Sequence, residues 1–115
     1  MIRKLFLAVL LMTFGQIAVA QVHSITTLNI VAGMEAEFIE FITPELVDTR
    51  EYDGCEYFAL LVDADNPGRV VFFSIWESVE HQQAYGAWRV ETGFRELMDP
   101  YVETSEGGFY NLIAD

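Results

Sequence analysis

The sequence predicts an α+β domain, a four-stranded antiparallel sheet with two helices on one of its faces. Three observations carry that expectation. The hydrophobic patterning changes period in the order strand, helix, strand, strand, helix, strand. The two middle strands are joined by a short connection containing Asn66-Pro67-Gly68. The chain has 115 residues, 52% of them hydrophobic and 14% aromatic, which is material for one core and no second domain.

Val22 to Val31 alternates as a strand, with His23, Ile25, Thr27, Asn29 and Val31 on one side and Ser24, Thr26, Leu28 and Ile30 on the other. Ala32-Gly33 breaks it. A helix is expected from Glu35 to about Glu51. Phe38, Ile39, Phe41, Ile42, Leu46 and Thr49 form its inner stripe, and Glu37, Glu40 and Asp48 point away. Glu35 and Glu37 in the first turn and Arg50 in the last suit the helix dipole. Pro44 removes a backbone donor and is expected to kink or split this helix near Glu40. Asp53-Gly54 marks a turn, and Cys55 to Asp63 the second strand. Asn66-Pro67-Gly68 has the residues of a type II turn, leading into a third strand from Arg69 to Trp76. Ser78 can cap a second helix, weakened at Gly86 and interrupted at Gly93. Phe94, Leu97, Met98 and Tyr101 resume a helical stripe, which Pro100 ends. Gly107-Gly108 opens a last strand, Phe109 to Ile113.

This order folds compactly as the ferredoxin-like β-α-β-β-α-β sandwich. Its helices cover one sheet face only. The other would show Tyr57 with Ala59 and Leu61, or Phe58 with Leu60 and Val62, beside half of Val70 to Ile75. A small domain with such an apolar face needs a partner, so a homodimer packed sheet to sheet is expected.

Residues 1–20 have the three parts of a secretory signal. Arg3 and Lys4 precede an apolar run from Leu5, and Ala18-Val19-Ala20 offers the small residues of a cleavage site. The run is short for a membrane span, which takes about 20 residues. Cleavage after Ala20 would leave residues 21–115 as the domain, secreted or periplasmic, with no membrane attachment. Its 18 acids would face four arginines (Arg50, Arg69, Arg89, Arg95) and no lysine, a net −14, against −12 for the whole chain. So acidic a protein repels DNA and anionic lipid, and an anionic substrate needs an arginine in its site. Cys55 is a lone thiol, best kept by burial in an oxidising compartment. No Cys/His cluster has zinc spacing, and there is no phosphate loop.

The stretch from Asn29 to Tyr110 resembles the antibiotic biosynthesis monooxygenase family, which includes small quinol monooxygenases. The resemblance rests on Gly33 before a Glu-rich helix, Asp53-Gly54-Cys55-Glu56-Tyr57, Asp65-Asn66-Pro67-Gly68-Arg69, and Trp76-Glu77-Ser78 leading into a helix. Ala84-Tyr85, Ala87-Trp88-Arg89, Glu91 and Gly93 follow. It implies a dimeric α/β barrel of two ferredoxin-like subunits that oxidises a phenolic, quinol or polyketide-like ring with O₂, with no cofactor and no metal. The chain departs from the family pattern at three places. Tyr85 stands where many members carry histidine, Ser74 where many carry glutamate, and Thr26 where the haem-degrading branch has asparagine. No histidine follows His81, which speaks against haem degradation.

His81, Tyr85 and Trp88 are spaced to share a helix face. They could wall a pocket, with aromatic surfaces for a planar ring and an imidazole to take a phenolic proton near neutral pH. They could equally be two core aromatics and a solvated histidine. Trp76 either lines the same cavity or is core. Arg89 either attracts an oxyanion or pairs with Glu91 or another surface acid. Asn29 could hydrogen-bond a ring oxygen, and Tyr57 could be a cavity phenol or a dimer contact. His81, Tyr85 and Arg89 are thus the candidate catalytic residues, and Asn29, Tyr57, Trp76 and Trp88 the candidate substrate contacts. The alternative is a non-catalytic small-molecule-binding or stress-associated dimer on the same fold.

Overall fold

The computed structural model describes residues 20–115; apart from Ala20, the expected signal segment lies outside them. The elements run β1 (Val22–Ile30), α1 (Glu35–Glu51), β2 (Cys55–Asp63), β3 (Asn66–Trp76), α2 (Val79–Glu91), α3 (Phe94–Met98) and β4 (Val102–Tyr110). The strands form one sheet in the order β2-β3-β1-β4, every neighbouring pair antiparallel. This is the ferredoxin-like α+β arrangement that the sequence predicts.

The register sorts the side chains into rows. Toward the helices lie the rows Phe109–Ser24–Ser74–Phe58, Gly107–Thr26–Phe72–Leu60 and Ser105–Leu28–Val70–Val62. On the opposite face lie Tyr110–His23–Ile75–Tyr57, Gly108–Ile25–Phe73–Ala59 and Glu106–Thr27–Val71–Leu61. The alternative left open for β2 is thereby decided: Tyr57, Ala59 and Leu61 are on the uncovered face.

α1 supplies most of the core. Its Phe38, Ile42, Leu46 and Thr49 are buried at i, i+4, i+8 and i+11, against Leu28, Ile30, Phe58 and Val70. Burying each large apolar side chain contributes about 1.5–3 kcal/mol. Gly33, at φ 88°, makes the turn into the helix, and its N–H donates to the Glu35 carboxylate (3.1 Å). α2 starts as expected, with Ser78 Oγ accepting the His81 N–H at 3.1 Å. Gly93, at φ 80°, separates α2 from α3.

Four expectations are corrected. Pro44 does not split α1, because the proline lies on its exposed side, where solvent can satisfy the carbonyl of Glu40. The hairpin turns at Ala64 and Asp65, and Asn66 and Pro67 already belong to β3. The Asp63 carboxylate closes that turn by accepting the Asp65 N–H (2.8 Å), and Asn66 Oδ1 accepts from Gly68 (3.0 Å). Side-chain acceptors thus replace the glycine turn, and Gly68 is not among the positive-φ glycines. β4 begins at Val102, well before Gly107, and ends at Tyr110. Its glycines lie inside the strand. A Cβ on Gly107 would come within 3.1 Å of Thr26 Oγ1, so the neighbouring β1 side chain fills that space. Finally, His23, close to the expected mature N-terminus where a side chain is ordinarily solvated, is half-buried against Phe73, and its Nδ1 has no partner among the described residues.

Candidate functional site

The helix-facing side of the sheet carries small polar residues where a core would carry large apolar ones. Ser24 and Ser74 are buried side by side, with Thr26 next along β1. Above them α2 buries only one residue, Arg89. Small groups below and a polar helix face above leave a cavity between sheet and helices. Its inner chamber holds about 160 Å³ and is lined by Ser24, Thr26, Phe58, Phe72, Ser74, Trp76, Tyr85, Arg89 and Phe94, among others. An outer chamber of about 340 Å³ shares Thr26, Phe72, Arg89 and Phe94 with it and continues past Val90, Arg95, Met98 and Asp99.

Tyr85 and Arg89 project from successive turns of α2 and are tied to α1. Arg89 Nε donates to Tyr85 Oη, and Nη2 donates to the Glu45 carbonyl and to Thr49 Oγ1, each at 2.9 Å. Nη1 faces Glu45 Oε1 at 3.4 Å. The guanidinium also lies over the rings of Phe94 (4.1 Å) and Trp88 (4.8 Å). The hydroxyls of Thr49 and Tyr85 are 2.6 Å apart. Either hydroxyl can be the donor of that pair; when Thr49 donates, the Tyr85 oxygen accepts from both Thr49 and Arg89 and can turn its own proton into the chamber. Trp76 packs on Tyr85 (ring centroids 5.0 Å apart), and its Nε1–H donates to Ser74 Oγ (2.9 Å). The surface ion pair expected for Arg89 is therefore replaced by a buried one with Glu45: the four-residue step from Tyr85 turns it inward, away from Glu91.

The structure brings together Tyr85, Arg89 and Trp76 and separates the other candidates from them. Trp88 lies outside the chamber lining, packed on Tyr52 (5.2 Å) and Arg89. His81 is one turn too early on α2. Its Nδ1 pairs with Ser78 Oγ (2.7 Å), and its Nε2 faces Asp53 and Glu77, each at 3.8 Å. These three side chains, with ligand atoms within 4.8 Å of one another, are the group among the described residues able to hold a metal ion. Asn29 and Tyr57 are on the uncovered face. Asn29 Nδ2 donates there to Thr104 Oγ1 (2.7 Å), and Tyr57 is exposed beside Phe73. Sequence reasoning missed Thr49 and Glu45. A hydroxyl in the otherwise apolar stripe of α1 was the signal for Thr49; nothing marked Glu45. Cys55, half-buried at the start of β2, has its thiol pKa pushed up from the ordinary 9.0 by burial, opposed by a backbone hydrogen bond at Tyr57 and by the charge of Arg50.

The antibiotic biosynthesis monooxygenase profile matches residues 21–100. The chain belongs to this family. Solved structures similar to this family member include SnoaB, a cofactor-independent oxygenase of Streptomyces nogalater, at 17% identity and a TM-score of 0.74, over 84% of this chain and 96% of that one. A Shewanella oneidensis protein is similar at 23% identity and a TM-score of 0.71 (79% and 89% covered). So is one from Pseudomonas aeruginosa, at 12% and 0.74 (83% and 96% covered). At such identities the likeness is one of fold. No curated protein matches. Thr26, Ser74 and Tyr85, where this monooxygenase-family chain departs from the resembled pattern, all line the inner chamber.

Proposed function

We propose that the protein is an exported, homodimeric, cofactor-independent monooxygenase acting on a phenolic or quinol ring bound between sheet and helices. The observation that carries this reading is the Tyr85 hydroxyl at the chamber wall, held by Arg89 and Thr49 and backed by Trp76. Oxygenation without a cofactor needs the substrate as its anion, which passes one electron to O₂ before the two radicals couple. A preorganised donor aimed at the developing oxyanion is what stabilises that anion in a dry site. Tyr85 is that donor. Arg89, its charge already matched by Glu45, positions it.

Family membership supports the reaction class, and the signal pattern of residues 1–20, followed by a family match from residue 21, supports export. The apolar rows of the uncovered face support the dimer. The test is oxygen uptake with a hydroquinone by metal-free protein. Turnover that falls about 100-fold in Tyr85→Phe supports the reading; no uptake with any quinol or phenol that binds the protein defeats it. One observation favours a second reading, a non-catalytic binder: the tyrosine standing where many family members carry histidine. Ligand-raised melting temperature without oxygen uptake would select it.

A further inference from the structure

Arginine is scarce in this chain, and its placement is uneven. Of the four arginines among the described residues, Arg89 and Arg95 both line the cavity. They are in different electrostatic states. Arg89 is buried, and its donors are engaged by Glu45, Thr49 and Tyr85. Arg95 is exposed on α3, lines the outer chamber, and makes no ion pair with any described residue. In a chain whose formal charge is −12, an uncommitted guanidinium at a cavity wall is a local exception to a field that repels anions. Its planar fork fits a carboxylate. Asp99, one helical turn further on, lines the same chamber, yet no ion pair joins it to Arg95.

The chambers differ in size and lining in a matching way. The inner one, about 160 Å³, is walled by the rings of Phe58, Phe72, Trp76 and Phe94. An apolar cavity of about 150 Å³ takes one benzene ring. The outer chamber, about 340 Å³, has room for a substituent but no comparable aromatic walls beyond those it shares.

We infer that the substrate class is a single-ring phenol or quinol with an anionic side arm: the ring fills the inner chamber, and a carboxylate at the end of the arm is received by Arg95 in the outer one. This rests on the proposed function and narrows it. The test uses three probes, unsubstituted hydroquinone, a hydroquinone with an acetic acid side chain, and the methyl ester of that acid. Binding is measured by calorimetry without oxygen, so that nothing turns over. The acid binds at least tenfold more tightly than its ester at low salt, and the preference shrinks as salt is added. In Arg95→Gln, which removes an exposed side chain with no ion pair, the acid and ester bind alike while the ester's affinity is retained. Equal binding of acid and ester by the unaltered protein, or a preference that survives Arg95→Gln, overturns the anion site and leaves the proposed function standing. Failure of all three probes to bind overturns the reading of the cavity itself and this inference with it.

Discussion

Tyr85 and Arg89 share a hydrogen-bond network, yet substitution should separate their roles. Tyr85→Phe keeps the ring against Trp76 and removes only the hydroxyl, at a net cost of about 1 kcal/mol in stability and about 100-fold in turnover. Arg89→Ala leaves Glu45 without its partner and strips a buried charge network, so it should destabilise by about 3 kcal/mol or more, read by urea denaturation. Equal destabilisation by both would show that the phenol is structural. Cys55 gives a prediction in pH. Its folded pKa lies above 9.0, so the folded protein holds the thiol proton after the unfolded chain has released it. This contribution to stability is complete below the unfolded value and is lost as pH rises through about 9 toward the folded value. Denaturation curves of the protein and of Cys55→Ala should therefore diverge in that window, the cysteine form losing more stability with rising pH; parallel curves would refute the shift. The site was half legible at this scale. Helical spacing put Tyr85 and Arg89 one turn apart and so on one side. It also grouped His81 and Trp88 with them, because spacing along one helix does not say which part of a face meets the cavity. Glu45 and Thr49 reach the site from α1, 36 to 44 residues away in sequence, and only tertiary packing brings them there.

Among the elements, α1 shows where local rules decided and where they yielded. Its limits and buried stripe follow from periodicity and end charges, and they were readable. The continuity through Pro44 was not, since it depends on that residue facing water. Pro44→Ala restores a donor for the Glu40 carbonyl and should stabilise by about 1 kcal/mol or more, raising the melting temperature by several degrees. An unchanged melting temperature would mean that the helix has already adapted to the proline. The misplaced hairpin turn and the late start given to β4 have a common cause. Both readings treated glycine as a boundary, whereas Gly68, Gly107 and Gly108 sit within strands. The turn is closed instead by Asp63, and β4 is defined by its pairing to β1, a long-range fact.

The whole molecule presents two unlike sheet faces, and the difference determines how it should assemble. One face is covered by α1 and α2 and hollowed by Ser24 and Ser74. The other stacks Ile75, Phe73 and Val71 down the middle of the sheet, with Tyr57 and Leu61 on one flank about half exposed and Tyr110 on the other. His23 lies among them with a buried ring nitrogen that has no hydrogen-bond partner among the described residues. Beyond these rows the face turns polar at Asn29, Arg69 and Thr104, which gives the apolar patch an edge. A sheet face of that character is the surface that the proposed homodimer would cover. Two copies meeting face to face would bury the central rows and leave the polar end as a rim. Phe73→Glu puts a carboxylate into the centre of that contact without touching the cavity, which lies on the other side of the sheet. Sedimentation should show a dimer for the unaltered residues 21–115 and a folded monomer for Phe73→Glu, with hydroquinone affinity retained in the monomer. A monomer before any substitution would mean that the face is covered by something other than a second copy. Loss of ligand binding together with the dimer would mean that the partner helps to build the cavity.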